Sequence, residues 1–311
     1  KTTLFNALTG AKQHVGNWPG VTVEKKTGEY QFAGKLIELV DLPGTYSLES
    51  ADDDVSLDEK VARDYVASKQ ADLIINILDA SNIERNLYLT SQLLEMRVPM
   101  LLALNMMDAV KRRGIKIDVE FLAEKLGCPV IPITAASKSG IDDLKVAINN
   151  AAQNKPIPAL NIHYCPALEN AIAQACELLR TTAQKLECDL RWLAIRSLEG
   201  DTLAQTLIGE SLYAPIQTLQ TQVENETVDE IDILAADARY GFVNEIVQSC
   251  VCKLNEVSRH TTEKIDAIVL NRFLGIPIFL LVMYAMFMFT INIGSAFVDF
   301  FDQLVGALLV D

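Results

Sequence analysis

Lys1-Thr2-Thr3, at the head of the apolar run Leu4-Phe5-Asn6-Ala7-Leu8, has the residue types that grip phosphate. A lysine ammonium reaches β- and γ-oxygens, the hydroxyl of Thr2 binds Mg²⁺, and N–H groups at a helix start wrap the remaining oxygens. The glycines of such a loop are expected upstream of Lys1. Asp41-Leu42-Pro43-Gly44 pairs a carboxylate that can hold Mg²⁺ through water with a glycine N–H that can meet a γ-phosphate. In Asn105-Met106-Met107-Asp108 the aspartate can accept both N–H groups of a guanine edge while the asparagine ties loops together. Thr134-Ala135-Ala136 can offer a backbone N–H to the guanine oxygen. Between the first two motifs, Gly20-Val21-Thr22-Val23-Glu24 has the place of a first switch segment, with Thr22 as a second Mg²⁺ ligand. Each motif alone is common. In this order they point to GTP and GDP binding, with Thr2, Thr22 and Asp41 on Mg²⁺ and with Lys1, Thr22 and Gly44 acting on the transferred phosphate.

Strands must end where these motifs begin, because open parallel sheets bind ligands at the carboxyl edge. Thr27–Phe32 and Lys35–Leu42 alternate apolar and polar residues about Ala33-Gly34, a hairpin pattern. Leu73–Leu78, Met100–Leu104 and Val130–Thr134 are short apolar runs of the kind buried in a parallel sheet. Ser56-x-x-Glu59 and Ser81-x-x-Glu84 have capping-box spacing before the helical runs Val61–Ala67 and Leu87–Met96, and Gly127 stops a helix over Phe121–Leu126. This is the pattern of a doubly wound α/β domain, an α/β P-loop GTPase of the Ras-like kind.

The prolines of Asn154-Lys-Pro-Ile-Pro break that pattern. Beyond them Leu168–Leu186, Leu190–Leu198 and Ile233–Leu254 show apolar spacings of three and four, an all-α domain. Phe273–Val298 carries no charge and would span about 39 Å as a helix, against a hydrocarbon core of about 30 Å. The expected organisation is therefore a G domain over residues 1–153, a helical domain over 154–265 and the start of a membrane region over 266–311, with its first crossing at about 273–298. With 41 acidic and 27 basic residues the net charge of −14 disfavours a nucleic-acid partner. Six cysteines without zinc-type spacing, and no cleavable export signal, fit a reducing cytosolic setting.

The chain resembles the ferrous-iron transport protein B family at G-N-W-P-G-V-T-V-E, D-L-P-G-T-Y-S-L, D-A-S-N-I-E-R-N-L-Y-L-T, N-M-M-D, A-D-A-R-Y and L-N-R-F-L-G-I-P-I-F. The resemblance implies uptake of Fe²⁺ across a bacterial inner membrane, with the G and helical domains in the cytoplasm and the permease beyond Asp311. It implies that the GTP state of the switches gates or drives transport and that the helical domain favours the GDP-bound state. It also implies K⁺ as an activating cation, its asparagine ligand lying upstream, and backbone groups of switch I as the positioners of water. The rival reading is a membrane-tethered signalling GTPase without transport. A homo-oligomer and small accessory proteins stay open as partners.

Two departures from Ras-like enzymes matter. Thr45 stands where the water-orienting glutamine would be, so intrinsic GTP hydrolysis should be slow. Met106 replaces a lysine over the base, which predicts weaker nucleotide binding and fast release. Other candidates read as packing or solvation: Cys250-Val-Cys252 within a helical pattern, the isolated His14, His163 and His260, the acidic Asp52–Asp54 and Asp58-Glu59, and Met283, Met286 and Met288 facing lipid.

Thr45→Ala should lower GTP turnover only slightly, whereas Thr22→Ala should remove most of it with the Mg²⁺-linked closure of the switch. Phosphate-release assays that find the two variants equally impaired would contradict this assignment.

Overall fold

The computed structural model describes residues 1–10, 13–19, 21–45, 48, 57–158, 161–253 and 275–309. Gly20, the Asp52–Asp54 stretch, Ser56 with its capping box, His260, the expected 265/266 boundary and the first residues of the apolar run lie outside them.

Helix α1 (Thr2–Thr9) precedes β1 (Gln13–Asn17), β2 (Glu24–Phe32) and β3 (Lys35–Asp41), which form an antiparallel sheet in that order. The expected hairpin is present, with Phe32 opposite Lys35. Ala33 and Gly34 both take left-handed φ values, 48° and 77°, which a two-residue turn between right-twisted strands requires. The strand β1 was not legible beforehand, because Gln13–Asn17 has one strong strand former, Val15.

After α2 (Leu57–Ala67) come β4 (Ile74–Asp79), α3 (Ile83–Glu95), β5 (Met100–Asn105), α4 (Met107–Arg112), β6 (Ile115–Ile117), α5 (Val119–Leu126), β7 (Val130–Pro132) and α6 (Ile141–Asn154). β4, β5 and β7 form a parallel sheet with β5 in the middle, Asp79 level with Asn105 and Leu104 level with Pro132. Met100 to Leu104 are all fully buried. Leu101 and Ala103 pack with Leu4 and Leu8 of α1 and Leu144 and Ile148 of α6, while Leu102 and Leu104 pack with Leu87, Leu94, Leu122 and Leu126 on the other face. At about 1.5–3 kcal/mol for each large side chain buried, this strand is a principal source of stability.

The doubly wound α/β pattern is carried by two three-stranded sheets, since β3 and β4 share no ladder. Ile37 and Leu39 of β3, and Ile75 and Ile77 of β4, are partly buried against the cluster that holds α1. Ser81-x-x-Glu84 does not cap α3. Asp79 accepts from the Ser81 N–H at 2.9 Å and its hydroxyl at 2.7 Å, stabilising a 3₁₀ turn over Ala80–Asn82. Gly127 ends α5 with φ 66° as expected.

The helical part contains α7 (Pro166–Leu186), α8 (Leu190–Leu198), α9 (Thr202–Ile208), α10 (Glu210–Thr227) and α11 (Ile231–Cys250). α7 begins with proline at its first turn and buries Leu168, Ala171, Ile172, Ala175, Leu179 and Ala183, one helical stripe, against α8 and α10. The helix expected to reach Leu254 stops at Cys250. Val251–Lys253 is instead strand β8, paired with β6, and the Asp118 N–H donates to the Cys250 carbonyl at 2.9 Å. A distant partner strand has overridden local periodicity, leaving Cys250 buried and Cys252 exposed.

Four buried charges join the helical part to α3. Arg239 of α11 donates to Glu199 at 2.7 Å and to Glu95 of α3 at 3.0 Å, Arg196 of α8 donates to Glu199 at 2.9 Å, and the Tyr164 hydroxyl donates to Glu95. Burial pushes the Glu199 carboxyl up, but Arg196 and Arg239 outweigh it and hold the group below the usual carboxylate range. Burial, then the charge of Glu95, raises the Tyr164 phenol well above its ordinary value.

Residues Lys1–Cys252 form one compact unit and Lys253–Asp311 a second. In the second, α12 (Gly275–Leu309) contains Gly275–Asn292, long and apolar enough to cross a membrane and with none of that stretch buried.

Arg239→Met should destabilise the first unit by about 3–5 kcal/mol, because it strands buried anionic charge. As the folded pKa of Glu199 is depressed, its contribution is complete above the ordinary value of ~4.3 and is lost as pH falls through the folded pKa. Denaturant titrations across the acid limb should show a shallower loss for Glu199→Gln than for the wild type. Equal slopes would remove Glu199 from the acid transition.

Candidate functional site

Lys1 caps the start of α1, and its ammonium lies 3.1 Å from the Asp41 carboxylate and donates to the Leu42 carbonyl. Helix α1 is held close because β2 has no side chain at Gly28: a Cβ there would come within 2.7 Å of Thr9 Cγ2 and 3.1 Å of Phe5 Cζ. This approach sets α1 against β2 and β3 and also against the turn over Ala135–Ser137. One helix thus touches both ends of the site.

At the phosphate end a cavity of about 520 Å³ is lined by Lys1, Thr2, Thr22, Val23, Glu24, Asp41, Leu42 and Pro43, all expected from sequence. Lys26, Leu57 and Asp58 line it too and were not expected as site residues. Lys26 could have been found from the register, since it stands opposite Asp41 in the β2–β3 ladder; its ammonium lies 3.4 Å from Glu24. Thr3 and Gly44 are not among the lining residues. Val21 donates to the Trp18 carbonyl in the turn that leads to Thr22. Thr2, Thr22 and Asp41 present two hydroxyls and a carboxylate to one cavity, hard oxygen donors that suit Mg²⁺.

The segments that contain Trp18 and Thr45 are tied down from behind. Trp18 is buried edge-on to Tyr65 of α2, ring centroids 5.0 Å apart, with the Lys25 ammonium 4.8 Å from the Trp18 ring centre. Thr45 donates to Glu59 at 3.2 Å, and the Leu48 N–H donates to buried Gln92 of α3 at 2.6 Å. These anchors were invisible beforehand, because a glutamine in a helix carries no sign of a partner 44 residues away.

At the base end Asn105 accepts the Ala135 N–H at 3.0 Å, so the asparagine does tie the two loops. That bond occupies the Ala135 N–H, and Ala136 beside it is exposed. Met106 takes a left-handed φ of 67° at the head of α4, is exposed, and its carbonyl accepts from Ala109 and Val110. Met107 follows it in α4, and Thr134 is held by the Ser139 carbonyl. Asp108 is paired with Arg112 one turn along at 2.9 Å, an exposed pair worth little.

Motifs mounted at the head of α1, at the end of β3 in the antiparallel sheet and at the end of β5 in the parallel sheet, with a helical part attached, define a Ras-like P-loop G domain carrying an all-α domain. The chain matches the family described as Ferrous iron transport protein B over residues 1–148 and the FeoB cytosolic helical domain over residues 164–252. It is 44% identical over 311 residues to the Fe(2+) transporter FeoB of Escherichia coli O157:H7, and 44% identical over 313 residues to that of Salmonella typhimurium; each alignment covers all of this chain and 39% of the relative. The structure of the cytosolic domain of L. pneumophila FeoB is 42% identical with a TM-score of 0.71, covering 81% of this chain and 95% of that one. The cytosolic domain of the T. maritima FeoB iron transporter in its GMPPNP form is 36% identical with a TM-score of 0.70, covering 81% and 94%. The chain belongs to the ferrous iron transport protein B family, and it spans about 39% of the length of the curated relatives it matches.

Gly28→Ala should push α1 off β2, lowering stability by about 1–3 kcal/mol and weakening triphosphate binding as Lys1 and Thr2 move. Calorimetry and nucleotide titration check this, and a variant with unchanged melting and affinity would show that α1 is not gauged by β2.

Proposed function

We propose that this chain is the GTP-binding and GTP-hydrolysing cytosolic module, with the first membrane crossing, of a bacterial inner-membrane Fe²⁺ uptake transporter. Residues 1–153 act as the G domain, 154–265 as the helical domain that favours GDP, and 266–311 as the start of the permease. The observation that carries the reading is the convergence of Lys1, Thr2, Thr22 and Asp41 on one cavity. The tie between the Asn105 and Ala135 loops supports it at the base end, and the GMPPNP form of the T. maritima relative and the transporter names of the E. coli and Salmonella relatives support it by kinship. The apolar stretch Gly275–Asn292 supports the crossing. Fe²⁺ is the cargo, and the permease that carries it would follow Asp311.

In this mechanism the Lys1 ammonium leaves Asp41 and Leu42 for the β- and γ-oxygens of GTP. Gly44 donates its N–H to the γ-phosphate, while Val21, Val23 and Glu24 form the wall of switch I. Thr2, Thr22 and Asp41 would hold Mg²⁺, which screens the phosphate charge when bound. Asp108 exchanges Arg112 for the guanine N–H groups, Ala136 donates to the guanine oxygen, and Met106 lies over the ring. Thr45 is engaged by Glu59 and brings no base to the attacking water, so backbone around Thr22 orients it and intrinsic turnover is slow. K⁺ would serve as activating cation, as the family resemblance implies.

Asp108→Asn tests the reading, because the new amide donates where the carboxylate accepted. GTP affinity should fall about tenfold or more, as a charge-assisted bond of ~1.5–3 kcal/mol is lost, and affinity for xanthosine triphosphate should rise. A titration that finds both affinities unchanged removes guanine from this site.

A further inference from the structure

Lys26 lines the phosphate cavity, and no step of the mechanism above uses it. It stands in the middle strand of the antiparallel sheet, level with Val15 of β1 and Asp41 of β3. Successive side chains of a strand take opposite faces, and the two neighbouring lysines divide accordingly. Lys25 lies over the Trp18 ring, 4.8 Å from its centre, while Lys26 faces the cavity. The face that carries Lys26 is the one α1 covers, since Gly28, two residues on, is where Thr9 and Phe5 make their close approach. At the head of that helix Lys1 meets Asp41 at 3.1 Å, so this carboxylate has one ammonium beside it from α1 and another lysine level with it on the adjacent strand.

The charged side chains in the cavity wall are Lys1 and Lys26 against Glu24, Asp41 and Asp58. Without Lys26 a single ammonium would face three carboxylates and an incoming polyphosphate. The partner of Lys26 is Glu24, 3.4 Å away and 54% exposed, and an ion pair so open to water holds its members weakly. The flexible stem of Lys26, itself 31% exposed, lets the ammonium turn within the cavity at small cost. Its neighbours in the wall are Thr22 and the Leu42-Pro43 turn that precedes Gly44, the groups assigned above to the γ-phosphate, whereas Asn105, Asp108 and Ala135 of the base end do not share that wall.

The geometry points to Lys26 as a second ammonium for the γ-phosphate, a specificity residue by which the site tells a nucleoside triphosphate from the diphosphate; this rests on the nucleotide reading proposed above. Lys1 reaches both β- and γ-oxygens and so serves either ligand. Lys26, beside Thr22 and level with Asp41, meets the outer phosphoryl group. An ammonium on a phosphate oxygen makes a charge-assisted hydrogen bond, and this one is present with the triphosphate and lost with the γ-phosphate. Only a contact that differs between two ligands changes the preference between them.

The test uses Lys26→Met and Lys26→Gln, which remove the charge from an unbranched side chain, Lys26→Arg, which keeps it, and Lys35→Met, which removes the same charge at the exposed end of the hairpin. Dissociation constants for GDP and a non-hydrolysable GTP analogue are measured with Mg²⁺ in protein of full length, beside the melting midpoint. The ratio of analogue affinity to GDP affinity should fall about tenfold in Lys26→Met and Lys26→Gln, and should be largely kept in Lys26→Arg and in Lys35→Met. An unchanged ratio in the two neutral variants, or equal losses of both affinities, would make Lys26 a part of the wall and nothing more, and overturn the inference. A fall of the same size in Lys35→Met would trace the effect to the general field of the protein, and one in Lys26→Arg would show that charge is not what counts; either overturns it too. If Asp108→Asn leaves every nucleotide affinity unchanged, the nucleotide reading fails and takes this inference with it. Asp108-dependent binding with an unchanged ratio in the Lys26 variants rejects Lys26 alone.

Discussion

The burial of β5 on both faces is the constraint from which the α/β part follows. A strand with five consecutive fully buried residues needs an apolar cover above and below. Helices α1 and α6 supply one cover and α3 and α5 the other, and the second is continuous with the core of the helical part. Parallel neighbours in register then bring Asp79, Asn105 and the turn after β7 to the same edge. The site is a by-product of that edge: turns free of packing duty emerge beside one another, where α1 reaches them.

Polar burial does different work. Apolar packing joins α3 to α11 without choosing between small slides of one helix along the other. Arg239, reaching Glu95 and Glu199 with separate nitrogens, accepts one placement, because any other leaves a buried charge without its partner. Arg63 and Asp201 apply the same rule at α2. The helical part is thereby held to both α3 and α2.

What could be read from the chain was what is local. The runs Met100–Leu104 and Leu190–Leu198 identify their elements by composition and period, and the D-x-x-G and N-x-x-D turns identify themselves by residue type and order. Most residues that line the cavity beside Lys1 carried a sequence signal, since they come from those turns and from the segment before β2. Strand β8 was not, because Val251–Lys253 pairs with a strand more than a hundred residues earlier and its own pattern continues α11. Helix α10 was hidden by Pro215 within it, and α9 by its shortness. Lys26, Gln92 and Asp201 have no local signature, as their roles exist only once distant elements meet.

The buried cluster also divides the molecule by its response to salt. Two guanidinium groups face two carboxylates inside it, shielded from mobile ions, so their attraction is nearly independent of ionic strength. The exposed pair Arg112–Asp108 and the half-exposed Lys1 beside Asp41 lie within reach of counterions. Ionic strength therefore acts on these exposed pairs and leaves the joint between the α/β and helical parts alone, so that salt can tune them without loosening the frame on which they are mounted.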